Sequence, residues 1–299
     1  MIKRIAILII SIQLLAACAM AADKASCRMI AFTTEFEGEL QLLNCSSGEI
    51  RRLNVGWVAA GDLAYSGAGD LLAFDEGEGP GRSGSLYLLH LKTLKVERIY
   101  KEVRAKHSLY RPQFDPEGSY LYAVNYFAGI YRYCLASRAW KKIRISGIDA
   151  LKPQGLSFSK SGRKVAISAG DFKGFYIAGV ANGAFDVQGR VATDFLSCIS
   201  PQWIGDEEIV FAGRKEAGLQ HIWKLDFSSG RLDQITGLHI GTRDFLSLSR
   251  DEKTIVFTGT SLDEKLELGI WKISIDGTGL KQLTHRGPLS GSLSPVWIE

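Results

Sequence analysis

Ser292-Leu293-Ser294-Pro295-Val296-Trp297-Ile298-Glu299, the last eight residues, reads as the opening of a repeat with nothing behind it. Five earlier segments share its design: an aromatic or apolar anchor, a polar turn, then an apolar strand seven residues on. Tyr65 leads to Leu72, Phe114 to Leu121, Phe158 to Val165, Trp203 to Val210 and Leu248 to Ile255. Trp297 begins a sixth copy and the chain stops. At the other end, near residues 28–54, stands a unit that lacks an opening strand. A strand without a unit and a unit without a strand have one economical solution, in which the last strand completes the first unit. Closure of that kind removes the open seam that an unpaired strand edge would leave.

A second series interleaves with the first: SSGEIRRL (46–53), KTLKVERI (92–99), ASRAWKKI (136–143), ANGAFDVQ (181–188), SSGRLDQI (228–235) and GTGLKQL (277–283). Its apolar anchors Ile50, Val96, Trp140, Phe185, Leu232 and Leu280 are 46, 44, 45, 47 and 48 residues apart. Such a period accommodates four short strands and their turns, the content of one propeller blade. Segments between anchors, such as SLYLLHL (85–91), GIYRYCL (129–135) and HIWKLDF (221–227), are short and rich in aromatic and branched residues, as strands are. Almost no segment carries helical periodicity over three turns. The expected fold is an all-β, six-bladed β-propeller over residues 22–299, closed by the C-terminal strand within the first blade.

PQFDPEGSYLYAV (112–124), LSFSKSGRKVAIS (156–168) and LSLSRDEKTIVFTG (246–259) resemble the WD-type repeats of the TolB family. GIWKISIDGTGLKQLT (269–284), followed by SPVW (294–297), is similar to that family's last blade. The resemblance spans the whole of residues 22–299. It implies a β-propeller fold and partner binding where one blade connects to the next. TolB carries a separate α/β domain before its propeller, whereas here the propeller begins almost at the leader's end. The full role in the Tol–Pal envelope system therefore does not follow from the resemblance.

The leader reads as an export signal: basic Lys3 and Arg4, an apolar run from Ile5 to Ala17, then small residues. The run falls short of the roughly 20 residues that a membrane span needs. Two processing routes fit it. Leu15-Ala16-Ala17-Cys18 resembles a lipobox, with signal 1–17 and a lipidated Cys18; Ala19-Met20-Ala21 suits ordinary cleavage after residue 21. The expected location is periplasmic, either as a soluble protein or as an outer-membrane lipoprotein facing the periplasm. Loss of Lys3 and Arg4 reduces the formal net charge of +4 to about +2, which argues against nucleic acid and against membrane contact beyond a lipid anchor. The expected partner is an envelope protein or an acidic small ligand, bound by a monomer without a cofactor.

Three connectors end alike, as Arg111-Pro112-Gln113, Lys152-Pro153-Gln154 and Ser200-Pro201-Gln202. Proline is tolerated where a strand's N–H is not needed. Arg111, Gln113, Lys152, Gln154, Gln202 and Arg243 are thus expected around one mouth of the channel, as amide donors and positive charge suited to acidic peptides, carboxylates or uronic acids. An alternative is a metal-dependent, lyase-like or sugar-binding propeller. The related oligogalacturonate lyases hold a divalent metal with histidines and a glutamine in this region, and His107, His239 and His285 fall in connectors. Their offsets from the strand anchors are irregular, which weighs against convergence on one metal. Asp75-Glu76-Gly77-Glu78-Gly79-Pro80-Gly81 and Asp263-Glu264-Lys265-Leu266-Glu267 read as solvated hairpin loops. No G-x-S-x-G elbow or phosphate-binding loop occurs, so the expected activity is binding rather than catalysis. A hairpin centred on Phe36 would pair Thr33 with Glu39 and set Cys27 opposite Cys45, within disulfide reach. Cys134 and Cys198 are expected as buried thiols.

Overall fold

The computed structural model describes residues 28–34, 38–55, 60–76, 84–101, 108–149, 151–237, 239–261, 268–284 and 292–299. Residues 1–27, with Cys18 and Cys27, and also His107, His285 and the segments 77–83 and 262–267, lie outside them.

Six small sheets stand in a ring. The first blade comprises β1 (Met29–Thr34), β2 (Leu40–Asn44) and β3 (Ile50–Arg52), and the second β4 (Leu63–Ser66), β5 (Leu71–Asp75), β6 (Leu86–His90) and β7 (Lys95–Tyr100). The third comprises β8 (Tyr110–Phe114), β9 (Tyr120–Asn125), β10 (Gly129–Cys134) and β11 (Ala139–Lys142). The chain then places β12 (Arg144–Ser146) parallel to the outer strand of the fourth blade, which otherwise comprises β13 (Pro153–Phe158), β14 (Lys164–Ala169), β15 (Phe175–Ala181) and β16 (Ala184–Val191). The fifth comprises β17 (Ser197–Ile204), β18 (Glu208–Arg214), β19 (His221–Asp226) and β20 (Leu232–Gln234). The sixth comprises β21 (Ile240–Leu248), β22 (Thr254–Ser261), β23 (Leu268–Ser274) and β24 (Lys281–Gln282).

The last strand, β25 (Ser292–Ile298), becomes the innermost strand of the first blade, in the order β25-β1-β2-β3. It pairs antiparallel with β1, Met29 opposite Ile298 and Ile30 opposite Trp297. Alternation along β1 explains why this holds the ring shut. Ala31 packs with Leu72 and Phe74 of the second blade, while Ile30 and Phe32 pack with Val256 and Ile270 of the sixth and with Trp297. Both sides of the strand are buried between blades, so a one-residue slip would exchange the two cores.

The first hairpin departs from the expected register by one residue. Thr33 faces Leu40, not Glu39, and the Cys45 N–H donates to the Arg28 carbonyl. The cause is Gly38, left-handed at φ 62°, whose N–H donates to the Thr34 carbonyl while Thr34 exchanges its bond with Glu39. This register sets Arg28 against Cys45, and the Cys27 half of the proposed disulfide lies outside the described residues. Of the two expected buried thiols, Cys198 is buried, and its burial pushes the thiol pKa up to about 12. Cys134 is only half-buried, beside a turn where hydrogen bonds from Ser137 hold its pKa below the usual value.

Candidate functional site

Each blade's inner strand starts at one face of the ring, where the chain arrives from the preceding blade, and ends in a tight turn at the other. We call these the connector face and the turn face.

Three of the six inner strands begin with the same distortion. Arg111-Pro112 stands opposite the single residue Ala123, Ser200-Pro201 opposite Phe211, and Ser294-Pro295 opposite Phe32. In each the residue before proline is left-handed, with φ of 51° at Arg111, 50° at Ser200 and 48° at Ser294. Such two-for-one bulges re-aim side chains, and the proline removes an N–H that would otherwise face the channel unpaired. The bulges occupy the first, third and fifth blades. Leucine takes the proline's place in the others, so Pro295, Leu63, Pro112, Leu156, Pro201 and Leu246 make an alternating apolar ring around the axis.

On the connector side the ring bounds a cavity of about 80 Å³, walled by Asp62, Arg111, Gly155, Ser200, Phe245 and Ser294. Asp62 bridges two blades there. One of its oxygens accepts from Ser294 Oγ at 3.1 Å, and the other lies 3.4 Å from Arg111 Nε. The Arg111 guanidinium also lies 6.0 Å from the Phe245 ring. Beneath them Asp75, 2% exposed, accepts the N–H of Asp62 and the N–H of Arg111, each at 3.0 Å. Sequence reasoning placed Asp75 in a solvated loop. It is instead a buried clamp that joins the second and third inner strands and fixes the left-handed Arg111. The apolar run Leu71–Phe74 that leads into it was the available signal.

Of the six expected site residues, Arg111, Gln113 and Gln202 line this mouth. Lys152 and Gln154 do not. Lys152 is exposed, with Nζ 5.6 Å from the Tyr126 ring, and Gln154 is the extra residue of a bulge in β13. The Lys152-Pro153-Gln154 triplet is therefore not equivalent to the other two; Gly155-Leu156-Ser157 holds that position. Arg243 lies in β21, but its side chain lies outside the described residues. Pairing with Asp62 removes Arg111 as a free cation at the mouth. His239 is exposed, and no group of three His, Cys, Asp or Glu side chains among the described residues could hold a metal ion.

Beyond the ring the channel widens towards the turn face into a cavity of about 520 Å³, also lined by Gln113 and Gln202. Side chains around this end are committed to one another. Lys160 pairs with Glu252 at 3.2 Å, Arg28 with Asp251 at 2.5 Å and with Glu299 at 3.2 Å, and Glu299 accepts the Arg250 N–H. Hydroxyls finish the turns. Ser249, with help from Arg28, draws the Asp251 carboxyl down to about 2, and Ser228 and Ser229 do the same for Asp226. Bonds of this kind join the sixth blade to the first, and the fourth to the fifth and sixth.

No family model and no curated protein matches the chain in sequence. Solved structures do match in shape. TolB from Acinetobacter baumannii superposes with a TM-score of 0.69 at 17% identity, covering 90% of this chain and 66% of that one. The structure assigned as TolB from Agrobacterium tumefaciens gives 0.63 at 12% identity, covering 91% and 98%. A chain of the nidogen/laminin complex also gives 0.63, at 9% identity over 90% and 98%. At these identities the likeness speaks for the fold, and the chain has the six-bladed propeller fold seen in TolB.

Proposed function

We propose that the protein is an exported, non-enzymatic propeller that binds a partner of the cell envelope at its connector face. The observation that supports this most is the difference between the two ends of the channel. Around the turn-face end, Lys160, Glu252, Arg28 and Asp251 are taken up in ion pairs between blades. The connector mouth presents Asp62, Arg111, Ser200, Phe245 and Ser294 to the channel, held on a frame that the Asp75 clamp makes rigid. Rigid scaffolds with variable connecting loops are a common way to present a binding site. The TolB-like fold fits a protein-binding role, and the export signal supports a periplasmic location. An envelope protein fits the mouth better than a small anion, because the Asp62–Arg111 pair neutralises its one described cation. Affinity capture from the native envelope tests the reading, with the wild-type protein and a Gln113→Ala/Gln202→Ala variant as baits. A partner retained by the wild type and lost from the variant agrees with it. Equal retention by the two, or capture of none, contradicts it.

A further inference from the structure

Among the described residues, six large apolar side chains are exposed, and three of them, Phe127, Phe172 and Leu196, belong to successive blades on the connector face. Phe127 occupies the β9–β10 hairpin and is 73% exposed; Phe172 occupies the β14–β15 hairpin at 37%; Leu196 occupies the connector into β17 at 53%. Backbone and ring contacts make them one surface. Phe127 packs edge-on against Tyr126, with centroids 5.0 Å apart. Gly170, which opens the next hairpin, lies so close to Tyr126 that a Cβ there would meet the ring at 2.7 Å. The Phe172 carbonyl accepts the Cys198 N–H at 2.6 Å, which brings that hairpin against the segment carrying Leu196. Adjacent apolar side chains left in water by a folded protein mark an interaction surface, and aromatic residues dominate the energetics of such surfaces.

The charges within the ridge indicate what would cover it. Its carboxylates Asp171 and Asp194 are each engaged by a cation, Arg190 and Lys215 respectively. Three further cations have no carboxylate partner among the described residues: Lys152, above the Tyr126 ring, Lys173, next to Phe172, and the partly buried Arg214, whose carbonyl accepts the Leu196 N–H. Asp149 and Glu216 are the other exposed carboxylates of these loops, so the cationic character is local to the aromatics and is not a net charge of the face.

We propose that Tyr126, Phe127, Phe172 and Leu196, flanked by Lys152 and Lys173, form the main docking ridge for a protein segment in which apolar side chains stand beside carboxylates. The proposal rests on the connector-face reading above and moves the energetic centre from the channel mouth to the outer rim of the third to fifth blades. The apolar side chains of the segment cover the exposed rings, and its carboxylates reach the two lysines at the rim, where charge contributes to steering and specificity.

The test is a random peptide library displayed on phage and selected on the purified full-length propeller. Enriched peptides are then synthesised and titrated against three proteins: wild type, a Phe127→Ser/Phe172→Ser ridge variant, and a Gln202→Ala mouth variant. Enriched peptides should carry carboxylates beside apolar residues. Their dissociation constants should rise about tenfold or more on the ridge variant and by a smaller factor, about two- to threefold, on the mouth variant, which removes one contact of the same face. Lys152→Ala/Lys173→Ala should give a smaller loss that shrinks as salt is added. Since Phe127 and Phe172 are exposed, an unchanged melting temperature of the ridge variant excludes misfolding as the cause. Peptides without carboxylates overturn the proposal. Peptides weakened by the mouth variant and not by the ridge variant also overturn it, while leaving the connector-face reading intact. A selection that enriches nothing counts against both.

Discussion

The two faces of the propeller each expose three large apolar side chains among the described residues, and the two sets differ in kind. On the turn face, Ile50 opens β3, Leu94 closes the β6–β7 turn and Leu280 precedes β24, one per blade, at or beside the repeated outer turn. Scattered residues of that sort are ordinary on a protein surface. On the connector face, Phe127 and Phe172 stand 45 residues apart in the corresponding hairpins of successive blades, and Leu196 in the next connector, so the three lie on adjoining loops. The same division applies to the polar groups. The turn-face carboxylates Asp226, Asp251 and Glu252 bind serines of their own turns or cations of other blades, while the connector face carries left-handed residues that a buried aspartate or a proline bulge maintains. A repeat fold thus uses one end for holding the ring together and leaves the other to be specialised. Substitutions at the locked end should cost stability and spare binding, and those at the outer connector rim the reverse.

The strongest challenge to the locked architecture is removal of residues 292–299. That deletion strips the first blade of its inner strand, uncovers Ile30 and Phe32, and leaves a row of unpaired backbone groups on β1. Loss of the cooperative thermal transition is the expected outcome, and a truncated protein that melts like the full chain would show that the ring is closed some other way.

A smaller effect sharpens the division within the connector face itself. Asp75→Ala leaves two inner-strand N–H groups without their acceptor in a buried position, a loss of about 2–4 kcal/mol by the usual cost of unsatisfied buried groups. Asp75→Asn keeps one acceptor oxygen and should lose about half as much in a urea melt. If both variants match the wild type, Asp75 is not the clamp described here, and the left-handed Arg111 is held by its proline bulge alone.

Much of this was legible in the sequence, for reasons that specific residues show. The anchors Tyr65 to Trp297 recur because every blade needs an apolar residue at the same depth of its inner strand, so periodicity revealed the blade number and the closing strand. The same anchors could have corrected the site. Gln113 and Gln202 stand one residue before Phe114 and Trp203, while Gln154 stands four before Phe158, which already separates Lys152-Pro153-Gln154 from its apparent equivalents. Other features depend on contacts remote in sequence. Asp75 reaches Arg111 across 36 residues, and Ser294 reaches Asp62 across 232. The first hairpin's register turned on one left-handed glycine, whose conformation residue spacing does not report. Phe127 and Phe172 stand 45 residues apart, one blade period, but a spacing does not report that a hairpin side chain is left in water, and Leu196 stands outside the series.

Exposed apolar side chains on both faces allow the difference between them to be measured directly in the living cell. A photo-reactive amino acid is introduced singly at Phe127 and Leu196 on the connector face, and at Leu94 and Leu280 on the turn face, where the native side chains are 73%, 53%, 48% and 39% exposed. Illumination of intact cells should give a discrete cross-linked species from Phe127 and Leu196, and none from Leu94 and Leu280. Cross-links of equal yield from both pairs, or from the turn face alone, would contradict the assignment of the connector face as the binding surface.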